Sequence, residues 1–185
     1  SDKLMIAANN ISTSKTLFSV VRYGNVSGSR GSVIPVFNKL IEEKSKFLPI
    51  TDKNMTRFWI TLEQAYNFVC KSIKHMKGGE LFIPKIPSIK IIDLANAIDS
   101  KIKKKIVGIR PGEKLHEIMF NKEESNNIIE FKDYFLLRPS IVFYKKRNYL
   151  INSDNEKGKL LNSIIEYNSA TNENFMNINE IKKLL

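Results

Sequence analysis

Short apolar runs alternate along the chain with stripes of helical period. Leu4, Ala7, Ala8 and Ile11 recur at helical spacing, so residues 2 to about 11 read as the last turns of a helix that begins upstream. A polar break, STSK, separates it from LFSVVRY at 17–23, which is β-branched and apolar on both faces, as a buried parallel strand should be. A glycine-rich stretch follows. It opens a helix with Val33, Val36, Phe37, Leu40 and Ile41 on one face and Pro35 tolerated in the first turn. FLPI at 47–50 and RFWI at 57–60 read as extended segments around the turn TDKN. Thr61 then caps a helix with Gln64 at the capping-box position. Its expected buried stripe is Leu62, Ala65, Tyr66, Val69, Ile73 and Met76, with His75 at the surface, and Gly78 and Gly79 stop it.

Beyond the two glycines, ELFIPKIP at 80–87 predicts a strand. Ser88 is expected to cap a helix whose Ile91, Ala95, Ile98 and Ile102 face the core, and KIVGI at 105–109 reads as a strand. In RPGEKLHEIMF, Pro111 and Gly112 predict a turn, and Glu113 to Phe120 a short helix. Strand segments at 128–131 and 134–137, a basic and Asn-rich region to about 160, and a final helix with Ile178, Ile181, Leu184 and Leu185 on one side complete the pattern. Alternating strands and helices predict an α/β fold.

Composition narrows the function classes. A chain of 185 residues, 42% hydrophobic, can bury a sizeable core and holds one domain, or a small domain plus part of another. The lone Cys70 rules out an internal disulfide and fits a reducing compartment. No apolar run reaches the ~18 residues of a membrane span, and Asp2 and Lys3 precede a short helical pattern where a signal peptide would have its apolar core. A net charge of +11 points to an anionic partner: nucleic acid, an acidic membrane surface or a phosphorylated metabolite. The densest basic run, KIKKK at 101–105, reads as a solvated helix end. Two distant histidines and one cysteine offer no metal-ligand spacing.

Candidate chemistry concentrates at residues 22 to 37, RYGNVSGSRGSVIPVF. Gly24, Gly28 and Gly31 ahead of a helix start can bring main-chain N–H groups toward an anion, Asn25 adds an amide donor, and Arg22 and Arg30 could add forked cations. The plain alternative is a strand-to-helix turn with Ser32 as N-cap. Arg57 and the run Arg110 to Glu113 are two further polar clusters on loops at strand ends, where open α/β folds bind ligands. Two arginines and a glycine nest converging on one pocket would suit a diphosphate. A structural ion pair is the alternative for Arg57.

RYGNVSGSRGSVIP, MTRFWITLEQA, GGELFIPKIPSIKIIDLA and GIRPGEKLHE, in this order and spacing, resemble the C-terminal half of the UDP-N-acetylglucosamine 4,6-dehydratases of polysaccharide and flagellin-glycan biosynthesis, which are extended short-chain dehydrogenase/reductases. The resemblance implies the end of a Rossmann-type doubly wound sheet plus a small mixed α/β substrate-binding domain. Residues 1–23 would be the tail of a truncated Rossmann domain, 24–140 the UDP-sugar-binding domain, and 141–185 a basic segment and C-terminal helix. It implies a reaction in which NADP+ oxidises the sugar C4, water leaves across C5 and C6, and the hydride returns at C6, giving a UDP-4-keto-6-deoxy-hexosamine. It further implies a cytoplasmic enzyme, a homo-oligomer at full length, with neither nucleic acid nor membrane as partner.

By the same resemblance Asn25 would hold the pyrophosphate, and the main chain around Ser32 and Val33, with Leu48, Pro49 and Thr51, would flank the uracil. Arg57 and Arg110 would clamp the phosphates, and Glu113 would meet the ribose or orient Arg110. Ala170, in YNSATN, stands where the family has an acidic residue. The family's dinucleotide fingerprint and its Tyr with Lys four positions on are expected upstream. This sequence contains no GxGxxG, and none of its six tyrosines has Lys four residues later. No catalytic residue is therefore expected here, NADP would be bound mainly outside this chain, and turnover by the chain alone is not expected. A related UDP-sugar epimerase or reductase would share the site. A basic nucleic-acid-binding module would need aromatics interleaved with cations, whereas Phe and Trp here fall on apolar stripes.

Overall fold

In a computed structural model that describes residues 2–11, 16–140 and 147–185, the predicted first helix is α1 (Asp2–Ile11), and the strand after it shortens to β1 (Val20–Val21). The polar break at 12–15 and residues 141–146 of the basic region lie outside the described residues. β2 (Asn25–Val26) runs through the glycine turn into α2 (Val33–Glu42), and β3 (Phe47–Ile50) and β4 (Thr56–Ile60) bracket the expected turn. α3 (Leu62–His75) opens on the predicted capping box: Thr61 N–H donates to Gln64 Oε1 at 2.9 Å and Gln64 N–H to Thr61 Oγ1 at 3.1 Å. Then come β5 (Leu81–Pro84), β6 (Ser88–Lys90), α4 (Ile91–Ile98), β7 (Lys103–Ile106) and β8 (Ile118–Phe120). α5 (Lys122–Ser125), β9 (Ile128–Glu130), β10 (Tyr134–Leu137), β11 (Lys159–Leu160), β12 (Tyr167–Asn168) and α6 (Ile178–Lys182) complete the chain.

Several expectations are corrected. Ser88 does not cap a helix: it lies in β6 opposite Phe58 of β4, its N–H donating to Asn174 O and its carbonyl accepting from Met176 N–H. α4 starts three residues later and ends before Ile102, with Ile91, Leu94, Ala95 and Ala97 buried. The lysine run is no helix end, because Lys103, Lys104 and Lys105 pair with Phe47, Leu48 and Pro49 across the β7–β3 ladder. Glu113 to Phe120 is not helical; its last three residues form β8. In α2 the buried positions are Ile34 and Phe37, and Val36 is exposed. On α3, Leu62, Tyr66 and Ile73 face solvent, while Phe68, Ser72 and His75 are buried.

The chain folds into two compact units, each made of three separated pieces. The first comprises Ser1–Tyr23, Tyr66–Lys85 and Met119–Glu166, and the second Gly24–Ala65, Ile86–Ile118 and Tyr167–Leu185. Contacts thus interleave the chain instead of cutting it into consecutive stretches.

The first unit holds a five-stranded sheet in the order β1-β5-β10-β9-β11, with β1 parallel to β5 and the other pairings antiparallel. Phe68 of α3 packs with Phe82, Ile129, Phe131, Tyr134, Leu136 and Tyr149. His75 is buried beside them, its ring stacked on Tyr134 with centroids 6.3 Å apart and its Nε2 3.6 Å from Asp154 Oδ2. It was expected at the surface because Lys74 and Lys77 flank it. Helical geometry instead puts it in line with Phe68 and Ser72.

The second unit pairs β2 parallel and β6 antiparallel to β4, and β3 parallel to β7. Two apolar clusters support these strands. Trp59 packs with Ile34, Ile89, Leu94, Ala97 and Ile181, while Leu48 and Ile50 pack with Phe37, Met55, Ile91 and Ala95. Burying these side chains is worth roughly 1.5–3 kcal/mol for each large one, which holds the three loop-bearing strands in fixed register.

Candidate functional site

The second unit contains a solvent-open cleft of about 130 Å³. Each of its polar groups comes from a different segment: Asn25 from β2, Thr51 from the end of β3, Arg57 from β4, and Glu113 from the loop after β7. Val33, Pro49, Met55, Trp59 and Ile91 supply apolar walls. Six of the expected site residues therefore meet in one place: Asn25, Val33, Pro49, Thr51, Arg57 and Glu113.

Three do not line it. Leu48 is fully buried and points into the core, since the period of two along β3 sends Leu48 and Ile50 inward and leaves Pro49 toward the cleft. Ser32 takes the N-cap position of α2, but its hydroxyl makes no capping bond and has no partner among the described residues. Arg110 is exposed. It is nonetheless tied to the rim: its N–H donates to Glu113 Oε2 at 3.2 Å, Glu113 N–H donates to Arg110 O at 3.0 Å, and Thr51 Oγ1 donates to Glu113 Oε1 at 3.3 Å. Gly108 N–H, donating to Thr51 O at 3.1 Å, extends the β7–β3 pairing into this loop.

The glycine segment is a closed turn more than an open nest. Ser27, Ser29 and Ser32 spend their N–H groups on the carbonyls of Ile60, Val26 and Ser29. Gly28 and Gly31 take φ of 70° and 78°, which favour glycine, but of residues 22–37 only Asn25, Val33 and Phe37 reach the cleft. The cation expected at Arg22 is committed within the first unit: Nη2 donates to Asp2 Oδ2 at 2.7 Å, and Nη1 donates to Met119 O and lies 3.6 Å from Glu124.

Arg57 is held from several sides. Its Nη1 donates to Thr56 O at 2.7 Å and Leu115 O at 3.2 Å, and its Nε lies 3.7 Å from Glu117 Oε1. Glu117 also accepts from Phe58 N–H at 3.2 Å. The Asn25 amide, in the orientation that faces its nitrogen toward the carboxylate, donates to both Glu117 oxygens at 3.0 and 3.1 Å. Burial pushes the Glu117 carboxyl above its ordinary 4.5, with the Arg57 guanidinium, the Phe58 N–H and Lys114 opposing the shift. Below it, Ser169 Oγ accepts from Glu117 N–H at 2.9 Å and sits 2.7 Å from Thr56 Oγ1, which is 2.8 Å from His116 Nδ1.

The sequence did not single out Glu117, Thr56, His116 or Ser169. A helix over 113–120 would have turned Glu117 onto the same face as Glu113. The extended chain instead carries it under β4. Ser169 lies in the YNSATN segment, next to Ala170.

As a chemical instrument the cleft offers a fixed guanidinium, an amide, a hydroxyl and a carboxylate over an aromatic and aliphatic wall, a set suited to a phosphorylated polar ligand with a planar part. Among the described residues no group of three His, Cys, Asp or Glu side chains could hold a metal ion, and no helix is long and apolar enough to cross a membrane.

Residues 1–139 match the family described as polysaccharide biosynthesis protein. Over its full length the chain is 51% identical to a UDP-N-acetylglucosamine 4,6-dehydratase (inverting) of Campylobacter jejuni serotype O:2, of which it covers 56%. It is 34% identical to a UDP-glucose 4-epimerase of Rickettsia canadensis, of which it covers 54%. The crystal structure of Pen from Bacillus thuringiensis superposes with a TM-score of 0.78 at 32% identity, over 99% of this chain and 53% of that one. The chain thus spans about half the length of the relatives it matches, in the α/β fold its alternating elements predicted. Those four motifs carried the likeness in the sequence, and the match over 1–139 makes it membership: the chain belongs to the polysaccharide biosynthesis protein family.

Proposed function

We propose that the second unit binds the UDP part of a UDP-N-acetylhexosamine, and that the chain is the substrate-binding portion of a 4,6-dehydratase making a UDP-4-keto-6-deoxy-hexosamine for surface polysaccharide or flagellin glycan. The observation that carries this reading is the meeting of Asn25, Arg57, Thr51 and Glu113 in one cleft, in a chain half identical to a dehydratase of that name. Arg57 faces the pyrophosphate beside Asn25; Val33, Pro49 and Thr51 flank the uracil, and Glu113 meets the ribose. In this reading residues 1–23 belong to the end of a dinucleotide-binding domain, and the sugar nucleotide is held by the second unit, Gly24–Ala65, Ile86–Ile118 and Tyr167–Leu185.

The nicotinamide cofactor of such an enzyme, NADP in this proposal, supplies the oxidation at C4 and the return of hydride. The residues present here do not fit its site, since no GxGxxG turn is among them. The cytoplasm and a homo-oligomeric full-length enzyme belong to the same proposal. A UDP-sugar 4-epimerase is the second reading, favoured by the Rickettsia relative; both readings share the UDP cleft.

Calorimetry with UDP and UDP-N-acetylglucosamine tests the site. Wild type should bind both. Arg57→Ala should lose about 1.5–3 kcal/mol, the scale of a charge-assisted hydrogen bond, and Arg110→Ala, whose side chain is exposed, should lose less. Equal affinity of wild type and Arg57→Ala would refute the assignment. Product analysis on an enzyme joined to its dinucleotide-binding half separates dehydration from epimerisation.

A further inference from the structure

We infer that Glu117 is a positioning residue for diphosphate recognition: one carboxylate, outside the cleft, holds the Asn25 amide and the Arg57 guanidinium, and through Arg57 sets the donor that meets the phosphates. The inference rests on the proposed UDP site.

Glu117 is not among the residues lining the cleft, yet it touches two that are. The Asn25 amide has its nitrogen within 3.1 Å of both carboxylate oxygens, and Arg57 Nε lies 3.7 Å from Oε1. Asn25 is exposed on a two-residue strand, where an amide rotor is otherwise free. Arg57 has Nη1 fixed by two backbone carbonyls, and the carboxylate 3.7 Å from Nε, an ion-pair contact longer than a hydrogen bond, favours that orientation of the guanidinium. Glu117 can do this because it is itself anchored. Phe58 N–H donates to its Oε2, its own N–H donates to Ser169 Oγ, and its carbonyl accepts from Ser169 N–H at 2.8 Å. The Asn25 nitrogen is spent on the carboxylate, so Arg57 is the donor left for the phosphates, and a preorganised donor binds more tightly because its ordering entropy is spent before the ligand arrives.

Simple electrostatics predicts the opposite effect of removing Glu117. A carboxylate beside a diphosphate site repels the ligand, so deleting it should tighten binding if charge were its only role. Positioning predicts weaker binding, confined to ligands with phosphates. The sign therefore decides.

The test measures the affinities of UDP and of uridine for the full chain by calorimetry, in wild type, Glu117→Ala and Glu117→Gln. The expected result is about tenfold weaker UDP binding in Glu117→Ala with uridine unchanged within about twofold, and an intermediate loss in Glu117→Gln, which keeps one acceptor oxygen. Equal weakening of both ligands would mean Glu117 only supports the fold, and unchanged or tighter UDP binding would mean it only adds charge; either overturns the inference. If Glu117→Ala does not fold, Glu117→Gln is read by the same ratio. Failure of the site itself looks different: wild type would bind UDP no better than uridine, and the inference would fall with it.

Discussion

His75 is the residue whose environment departs furthest from its sequence setting. Burial against Tyr134 pushes its imidazole below the ordinary 6.5, and Lys71 and Lys74 push the same way, while Asp154 and Glu156 partly offset them. As pH falls the unfolded chain takes up this proton first. The stability gained from a neutral ring is therefore whole above 6.5 and is lost as the pH falls through the lower folded value. Glu80 and Glu117, held above 4.5 by burial, act with the opposite sign: their contribution is present below 4.5 and is lost as pH rises through their folded values. Urea melts of wild type and His75→Phe from about pH 7.5 to about pH 5.5 isolate the histidine. Wild type should lose more stability over that span than the variant. Parallel curves would show that the ring carries no such cost.

At the scale of elements, β2 depends on one glycine. A Cβ on Gly24 would stand 2.5 Å from Phe58 Cβ and 2.6 Å from Phe58 O, and the Phe58 backbone cannot yield without breaking the β4–β6 pairing. Gly31, with φ of 78° and nothing within 4 Å, would cost an alanine only backbone strain. Gly24→Ala should lose about 1–3 kcal/mol and Gly31→Ala about 1–2 kcal/mol. The discriminating readout is UDP affinity: Gly24→Ala should weaken it, because Asn25 rides on the displaced strand, and Gly31→Ala should leave it near wild type. The sequence marked both as glycines that could bring main-chain N–H groups toward an anion and could not tell close approach from conformation. It was most legible where signals are local, as in the Thr61–Gln64 box, β3, β4, β9 and β10. It failed where the answer lay in distant partners. α3 has apolar residues on both faces, and the buried side was chosen by the sheet; Ser72 is tolerated there because its hydroxyl donates back to Phe68 O at 2.8 Å. Glu113 to Phe120 lost its helix because Ser169, far along the chain, pairs with the Glu117 backbone.

The whole chain carries +11, and this field attracts any anion, so binding of a phosphate compound alone says little. Range separates the field from the cleft. The screening length shrinks from about 30 Å at ~0.01 M salt to about 3 Å at ~1 M, which removes the scattered lysines while leaving groups in contact. Arg57, its side chain only 13% exposed, acts at contact distance. UDP affinity should therefore fall modestly with salt, in parallel for wild type and Arg57→Ala, so that the ratio between them holds within about twofold. A short single-stranded RNA should behave otherwise, its affinity falling steeply because each phosphate neutralised by the lysines releases counterions. Titrations of both ligands across the salt range measure the two slopes. A UDP slope as steep as the RNA slope, with the Arg57→Ala difference vanishing in high salt, would assign the binding to the charge of the molecule and leave the cleft without a ligand.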